Sequence, residues 1–237
     1  MTGAEETGVL AATRALELNP DLAIGLATMG RVMCGLGRYD EAFAAHERSL
    51  AISPDSYEVN FLFGRTCTEL GCADLAIQYH ERAAALSETE FLPLALAIQS
   101  YNALGNRDKA RDTSRRALAR IEAAILKRPD DTSALFHGAA VLADLGDRHR
   151  SIEWANRAIT IAPDEARGLY LLACTFALLN EPESALDYLE KSLKHMQVRF
   201  LTWVENDSDL DSIRDHPRYG RLVENMRSGA ERPKGIV

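Results

Sequence analysis

Prolines recur along this 237-residue chain at a fixed interval, and that interval restricts the fold more than any other feature. Pro20 and Pro54 stand 34 residues apart, and so do Pro129 and Pro163. Similar phrases lead into three of them: Ala15-Leu16-Glu17-Leu18-Asn19, Ser49-Leu50-Ala51-Ile52-Ser53 and Ala158-Ile159-Thr160-Ile161-Ala162. A period of this size marks small supersecondary units that bury their apolar faces only by stacking on their neighbours. Counted from the third residue after each proline, the units fall at 23–56, 57–90, 91–131, 132–165 and 166–199.

Other registers keep the same step. The twentieth position of each unit holds Ala42, Ala76, Ala110, Ser151 and Ala185, and the twenty-seventh holds Ser49, Ala83, Ala117, Ala158 and Ser192. Small residues at such positions let two helices approach closely. The fourteenth and fifteenth positions read Leu36-Gly37, Leu70-Gly71, Leu104-Gly105, Leu145-Gly146 and Leu179-Asn180. Glycine there can take the left-handed conformation that stops a helix. An acidic residue follows within a few positions (Asp40, Asp74, Asp108, Asp147, Glu183), which suits a helix N-terminus. Proline then closes the second helix. Each unit therefore reads as helix–turn–helix, and the chain as all-α.

These positions resemble the tetratricopeptide repeat family over residues 8–199, and the resemblance implies a right-handed superhelical solenoid. The eighth position carries the family's small residue in Gly30, Gly64, Ala139 and Ala173, but Ile98 in unit three, and Glu88 replaces a closing proline in unit two. Pro54 to Pro129 is 75 residues, two periods plus seven, and the seven extra residues are expected in the second helix of unit three, around Leu118–Lys127. Residues 8–22 read as a half repeat, a second helix without its first, whose Val9, Leu10, Leu16 and Leu18 have no obvious cover. That face predicts self-association or docking of an upstream domain, as in a chain cut from or fused to something larger. Residues 200–226 form a capping segment. Its run Trp203-x-x-x-Asp207-x-Asp209-Leu210-x-x-Ile213-Arg214-x-x-Pro217-Arg218-Tyr219 resembles the ending of repeat arrays attached to bacterial class III adenylate and guanylate cyclases and signalling kinases. Residues 227–237 have the composition of a flexible tail.

Composition narrows the functions. With 35 acidic and 27 basic side chains the net charge is −8, which disfavours nucleic acid and anionic membrane as partners. No apolar run reaches the length of about 18 residues that a membrane span needs. The acidic start, Met1-Thr2-Gly3-Ala4-Glu5-Glu6, lacks the basic and apolar regions of a secretory signal. Cys34, Cys67, Cys72 and Cys174 show no C-x-x-C spacing, and read as reduced thiols in a cytoplasmic protein.

No motif for catalysis stands out, so no enzyme activity, cofactor or metal is expected of this chain. Asp207, Asp209 and Asp211 imitate the start of a calcium loop, but Ser212 replaces its glycine and Arg218 its closing glutamate. Gly35-Leu36-Gly37 lacks the third glycine of a dinucleotide site. His46 and His80, one period apart, occupy a position that packs an aromatic in the family, and buried imidazoles are favoured over catalytic ones. Arg111, Arg115, Arg116 and Arg120 read as a solvated helix face.

The resemblance instead implies a concave groove lined by the first helix of each unit. The residues placed there to meet a partner are Arg31, Phe61, Arg65, Gln99, Asn102, Phe136, Arg167 and Tyr170. Arg31 and Arg65 share position nine of consecutive units, so they form a candidate grip for a carboxylate. The expected function is a non-catalytic scaffold that binds a protein or peptide, acidic in character. The alternative is a regulatory module of a nucleotide cyclase or signalling kinase.

Overall fold

The computed structural model describes residues 3–231, and it is α-helical throughout, with no strand among them. α1 (Gly3–Leu18) precedes five helix pairs: α2 (Ala23–Gly35) with α3 (Tyr39–Ile52), α4 (Tyr57–Glu69) with α5 (Ala73–Leu86), α6 (Leu92–Ala103) with α7 (Arg107–Lys127), α8 (Thr132–Leu145) with α9 (Arg148–Ile161), and α10 (Ala166–Leu178) with α11 (Pro182–Leu193). The capping segment follows as α12 (Leu201–Asn206), a 3-10 turn at Ser208–Leu210, α13 (Asp211–Arg214) and α14 (Pro217–Glu231). α14 thus carries helix into 227–231, where composition suggested a flexible tail; residues 232–237 lie outside those described. The chain forms two compact units that divide between Ala97 and Ile98, within α6. No helix among the described residues is long and apolar enough to cross a membrane.

The turn inside each pair is built the same way. Gly37, Gly71, Gly105 and Gly146 have φ of 74°, 70°, 71° and 83°, and Asn180 takes the same place at 58°. This left-handed step aims the next amide back into the first helix. Arg38, Cys72, Asn106, Asp147 and Glu181 donate to the carbonyls of Met33, Cys67, Tyr101, Leu142 and Phe176 at 2.8–2.9 Å. Such bonds satisfy carbonyls that a helix end leaves orphaned. Second helices then start on side-chain caps where the sequence supplies them. Asn106 accepts from the Lys109 amide at 3.3 Å and Asp147 from the Arg150 amide at 3.2 Å.

Close approach within and between pairs depends on absent side chains. A Cβ on Gly30 would lie 2.7 Å from the His46 ring, and one on Gly64 2.7 Å from His80. In the second compact unit, Gly138 receives Trp154, and Gly168 receives Phe136 at 2.2 Å. A serine at position twenty-seven adds a pin. Ser49 Oγ donates to Ala23 O and Ser192 Oγ to Ala166 O, each at 2.7 Å, tying the second helix to the first residue of its partner. Arginine one residue earlier closes the preceding loop: Arg48 donates to Pro20 O and Arg157 to Pro129 O, both at 3.1 Å.

α7 has 21 residues against 14 in α3, α5 and α9, so the extra length sits in this helix. Within that extension Ile121 is fully buried, its Cγ2 beside Gly138, while Leu126 is 85% exposed. α1 packs against α2, with Leu16 over Gly25. Of the N-terminal apolar residues, Val9 and Leu16 are half-buried and Leu10 and Leu18 are 68% and 73% exposed.

Candidate functional site

In the first compact unit, three of the predicted groove residues lie on adjacent first helices, α2 and α4, which pack on each other. Arg31 is not free to grip a ligand. Its guanidinium donates to Glu69 Oε2 at 2.7 Å and to Thr66 Oγ1 at 3.3 Å, and both charged side chains are largely covered. In place of the open charge anchor expected from the sequence, Arg31 is paired with Glu69, which lies one turn beyond Arg65 on α4. Phe61 and Arg65 remain half-exposed. The Tyr57 and Phe61 rings stack at 5.6 Å, and the Arg65 guanidinium lies 6.0 Å from the Phe61 centroid. Residues 57, 61 and 65 are four apart, so they form one stripe along α4.

The imidazoles behind this face are structural. His46 and His80 are fully buried, and each shares a hydrogen bond from Nε2 to a threonine hydroxyl, Thr66 at 2.8 Å and Thr68 at 3.0 Å. Burial, assisted by Arg31 for His46 and Arg65 for His80, holds both pKa values down at about 3. Both rings are therefore neutral near pH 7, and neither is poised as an acid or base.

In the second compact unit the predicted residues are largely spoken for. Phe136 is 1% exposed because its ring fills the space above Gly168. Asn102 donates to Asp144 at 3.0 Å and accepts from Arg107 at 2.9 Å. Gln99 and Tyr170 are buried beneath the chain's own capping segment. Tyr170 OH donates to Asp207 Oδ2 at 2.6 Å, and Gln99 Nε2 donates to Asp207 Oδ1 at 2.7 Å and Asp209 Oδ2 at 3.3 Å. Gln99, Phe136 and Tyr170, expected to meet a partner, thus meet other parts of this chain. Phe136 is taken up by the next helix pair, and the first-helix face that carries Gln99 and Tyr170 is covered by residues 207–210. Arg167 alone of this group is exposed.

The capping segment is held by more than its aspartates. Ser208 Oγ donates to Gln99 O at 2.9 Å, and Ser212 Oγ to Ala177 O at 2.8 Å. Leu210 and Ile213 are buried in one apolar cluster with Ala173, Ala177, Leu186 and Leu189. Arg214 braces the turn from outside, donating to the carbonyls of Asp207 at 2.8 Å and Glu205 at 2.9 Å and to the Asp211 carboxylate.

Asp207 accepts from Tyr170, from Gln99, from the Asp209 amide at 3.0 Å and from the Cys174 thiol at 3.6 Å. Burial nonetheless raises its carboxyl, and those four bonds only moderate the rise. Asp209 is pushed well above the usual carboxylate range by burial and by Asp207 beside it. Burial and the Asp207 charge likewise push the Tyr170 and Cys174 protons on more tightly. Each of the two carboxyls thus opposes ionisation of the other, with burial as the larger cause. The sequence displayed the Asp-x-Asp spacing, but not that Cys174 and Tyr170 would face it.

A tetratricopeptide repeat profile matches residues 166–194. No curated protein matches the sequence. Among solved structures, a thermophilic TPR protein of Thermus thermophilus is 22% identical, over 79% of this chain and 98% of that one, with a TM-score of 0.56. Pseudomonas aeruginosa PilF is 16% identical over 86% and 89%, with a TM-score of 0.53. A chain of the APC/C hetero-tetramer Cut9–Hcn1 is 16% identical with a TM-score of 0.62; the match spans 95% of this chain and 46% of that one. At these identities the likeness is one of fold. The profile thus marks the α10–α11 pair as a tetratricopeptide repeat, and because its left-handed turn and small-residue contacts recur one period apart in other helix pairs, the chain has the fold of a tetratricopeptide repeat array.

Proposed function

We propose that the chain is a non-catalytic scaffold that binds a protein or peptide on the first-helix face of its first compact unit. The observation that carries this reading is the Tyr57–Phe61–Arg65 stripe on α4: two stacked rings and a guanidinium, half-exposed on a helix whose opposite side is core. Aromatic and arginine side chains of this kind supply much of the binding energy where one partner docks on another. Arg65 supplies the positive charge for an acidic side chain or terminal carboxylate in the partner, and the Arg31–Glu69 pair flanks the site. Selection of peptides on the full chain tests it. The selected peptides are expected to carry acidic residues and to bind Phe61→Ala/Arg65→Ala at least tenfold more weakly, since a charge-assisted hydrogen bond is worth about 1.5–3 kcal/mol. Peptides that bind the double variant as tightly as wild type place the site elsewhere.

A second surface rests on a different observation. Leu10 and Leu18 are 68% and 73% exposed on α1, and the scaffold reading assigns them to contact with a second copy of the chain. Sedimentation is expected to show dimer that Leu10→Asp/Leu18→Asp converts to monomer; a wild-type monomer at high concentration ends this assignment. The capping segment's likeness to those of cyclase- and kinase-linked arrays makes an attached signalling domain the alternative setting for the same scaffold.

A further inference from the structure

Where the capping segment meets the repeat helices of the second compact unit, four groups with metal-binding chemistry converge. Single donor atoms of Cys174, Asp207 and Asp209 lie within 4.8 Å of one another. Gln99 reaches the same two carboxylates through its amide nitrogen, at 2.7 and 3.3 Å. Gln99 is itself buried, and its carbonyl oxygen has no hydrogen-bond partner among the described residues. An orphaned amide oxygen inside a protein is costly, so it calls for an explanation.

The nearby guanidinium interacts with Asp207 through its charge, but its hydrogen bonds go elsewhere. Arg214 spends its donors on the backbone of Asp207 and Glu205 and on Asp211, leaving the Asp207 and Asp209 carboxylates to Gln99, Tyr170 and Cys174. The geometry points to a site for one divalent transition-metal ion, held by Cys174 Sγ, the Asp207 and Asp209 carboxylates and, after a half-turn of its amide, Gln99 Oε1. The half-turn places the oxygen where the nitrogen now sits, about 3 Å from both carboxylates, an arrangement that repels without a cation and is favourable around one. It gives that oxygen the cation as its partner, at the cost of the two hydrogen bonds that the amide nitrogen now makes. The thiol proton, and any proton on the carboxyls, leaves to solvent as the ion enters.

The donor set selects the ion. Calcium and magnesium take oxygen ligands only and have no use for a thiolate. Zinc accepts sulfur at about 2.3 Å and carboxylate oxygen at about 2.0–2.2 Å, and a tetrahedron of those lengths has edges of about 3.5 Å. The Cys174 Sγ to Asp207 Oδ2 distance is already 3.6 Å. The Asp209 donor lies within 4.8 Å of the other two, so a local shift of its side chain completes the set. Because Asp207 and Asp209 lie on the capping segment while Cys174 and Gln99 lie on repeat helices, the ion would tie the segment down. This assignment is independent of the peptide-binding reading.

The test uses the full chain, freed of metal with a chelator and titrated with cobalt(II) and zinc(II). Cobalt is expected to bind one per chain with a thiolate charge-transfer band that zinc abolishes. Cys174→Ser is expected to lose the band and Cys72→Ser to keep it; Asp209→Asn is expected to weaken zinc binding by about tenfold or more. X-ray absorption of the zinc-loaded wild type needs no variant, and is expected to show one sulfur with oxygen or nitrogen neighbours. No saturable 1:1 binding, a first shell without sulfur, or a band lost with Cys72 and kept without Cys174 would overturn the assignment.

Discussion

His46 and His80 make the stability of the first compact unit depend on pH in a defined direction. Their folded pKa values of about 3 lie below the ordinary 6.5, so the unfolded chain binds more protons between those limits. Stability is then fully present above about pH 6.5 and is lost as pH falls toward 3, by up to about 1.4 kcal/mol per pH unit for each ring. Urea denaturation at pH 7, 6 and 5 is expected to show that slope, and His46→Phe/His80→Phe to flatten it. Glycines give a second contrast at this scale. Gly168→Ala puts a Cβ 2.2 Å from Phe136, with an expected loss of about 1–3 kcal/mol. Gly220→Ala, in α14 with nothing within 4 Å, is expected to gain about 0.5–1 kcal/mol from helix propensity. Thermal unfolding of the two variants separates them by sign.

Among the elements, the five turns were the most legible part of the sequence. Leu-Gly at a constant register announces a left-handed helix stop, because no other residue takes that conformation so cheaply. Asn180 follows the rule with the next best residue at φ 58°, and Asn180→Gly is expected to raise stability by a few tenths of a kcal/mol in the same assay. The extra length of α7 was legible too, by subtraction between prolines. What spacing could not reveal was which first-helix faces are covered. Periodicity assigns a residue to a side of a helix; whether that side meets solvent depends on chain that is distant in sequence. Gln99 and Tyr170 sit on the side where the register put them, yet their partner Asp207 is 108 and 37 residues away. Glu69 escaped notice for a related reason: nothing in its register marks it as the counter-ion of Arg31, 38 residues earlier.

At the scale of the whole molecule, each compact unit depends on a different kind of closure. In the first, α1 packs on α2 and leaves Leu10 and Leu18 exposed, and in the second a segment is anchored in the core by Leu210 and Ile213. Leu210→Ala is therefore expected to cost about 2–5 kcal/mol and to raise amide exchange first around α10 and α11. Exchange that rises only within residues 200–231 would show the segment to be dispensable to the second unit.

The distance along the chain between Gln99 and Asp207 also sets a clock. At about 5–20 residues per second, the ribosome takes about 5–20 s to add the 108 residues between them. Through that interval the amide of Gln99 and, once made, the hydroxyl of Tyr170 face outward with no carboxylate to receive them. The second unit is therefore closed only after its repeats have been made, by a segment that leaves the ribosome after them.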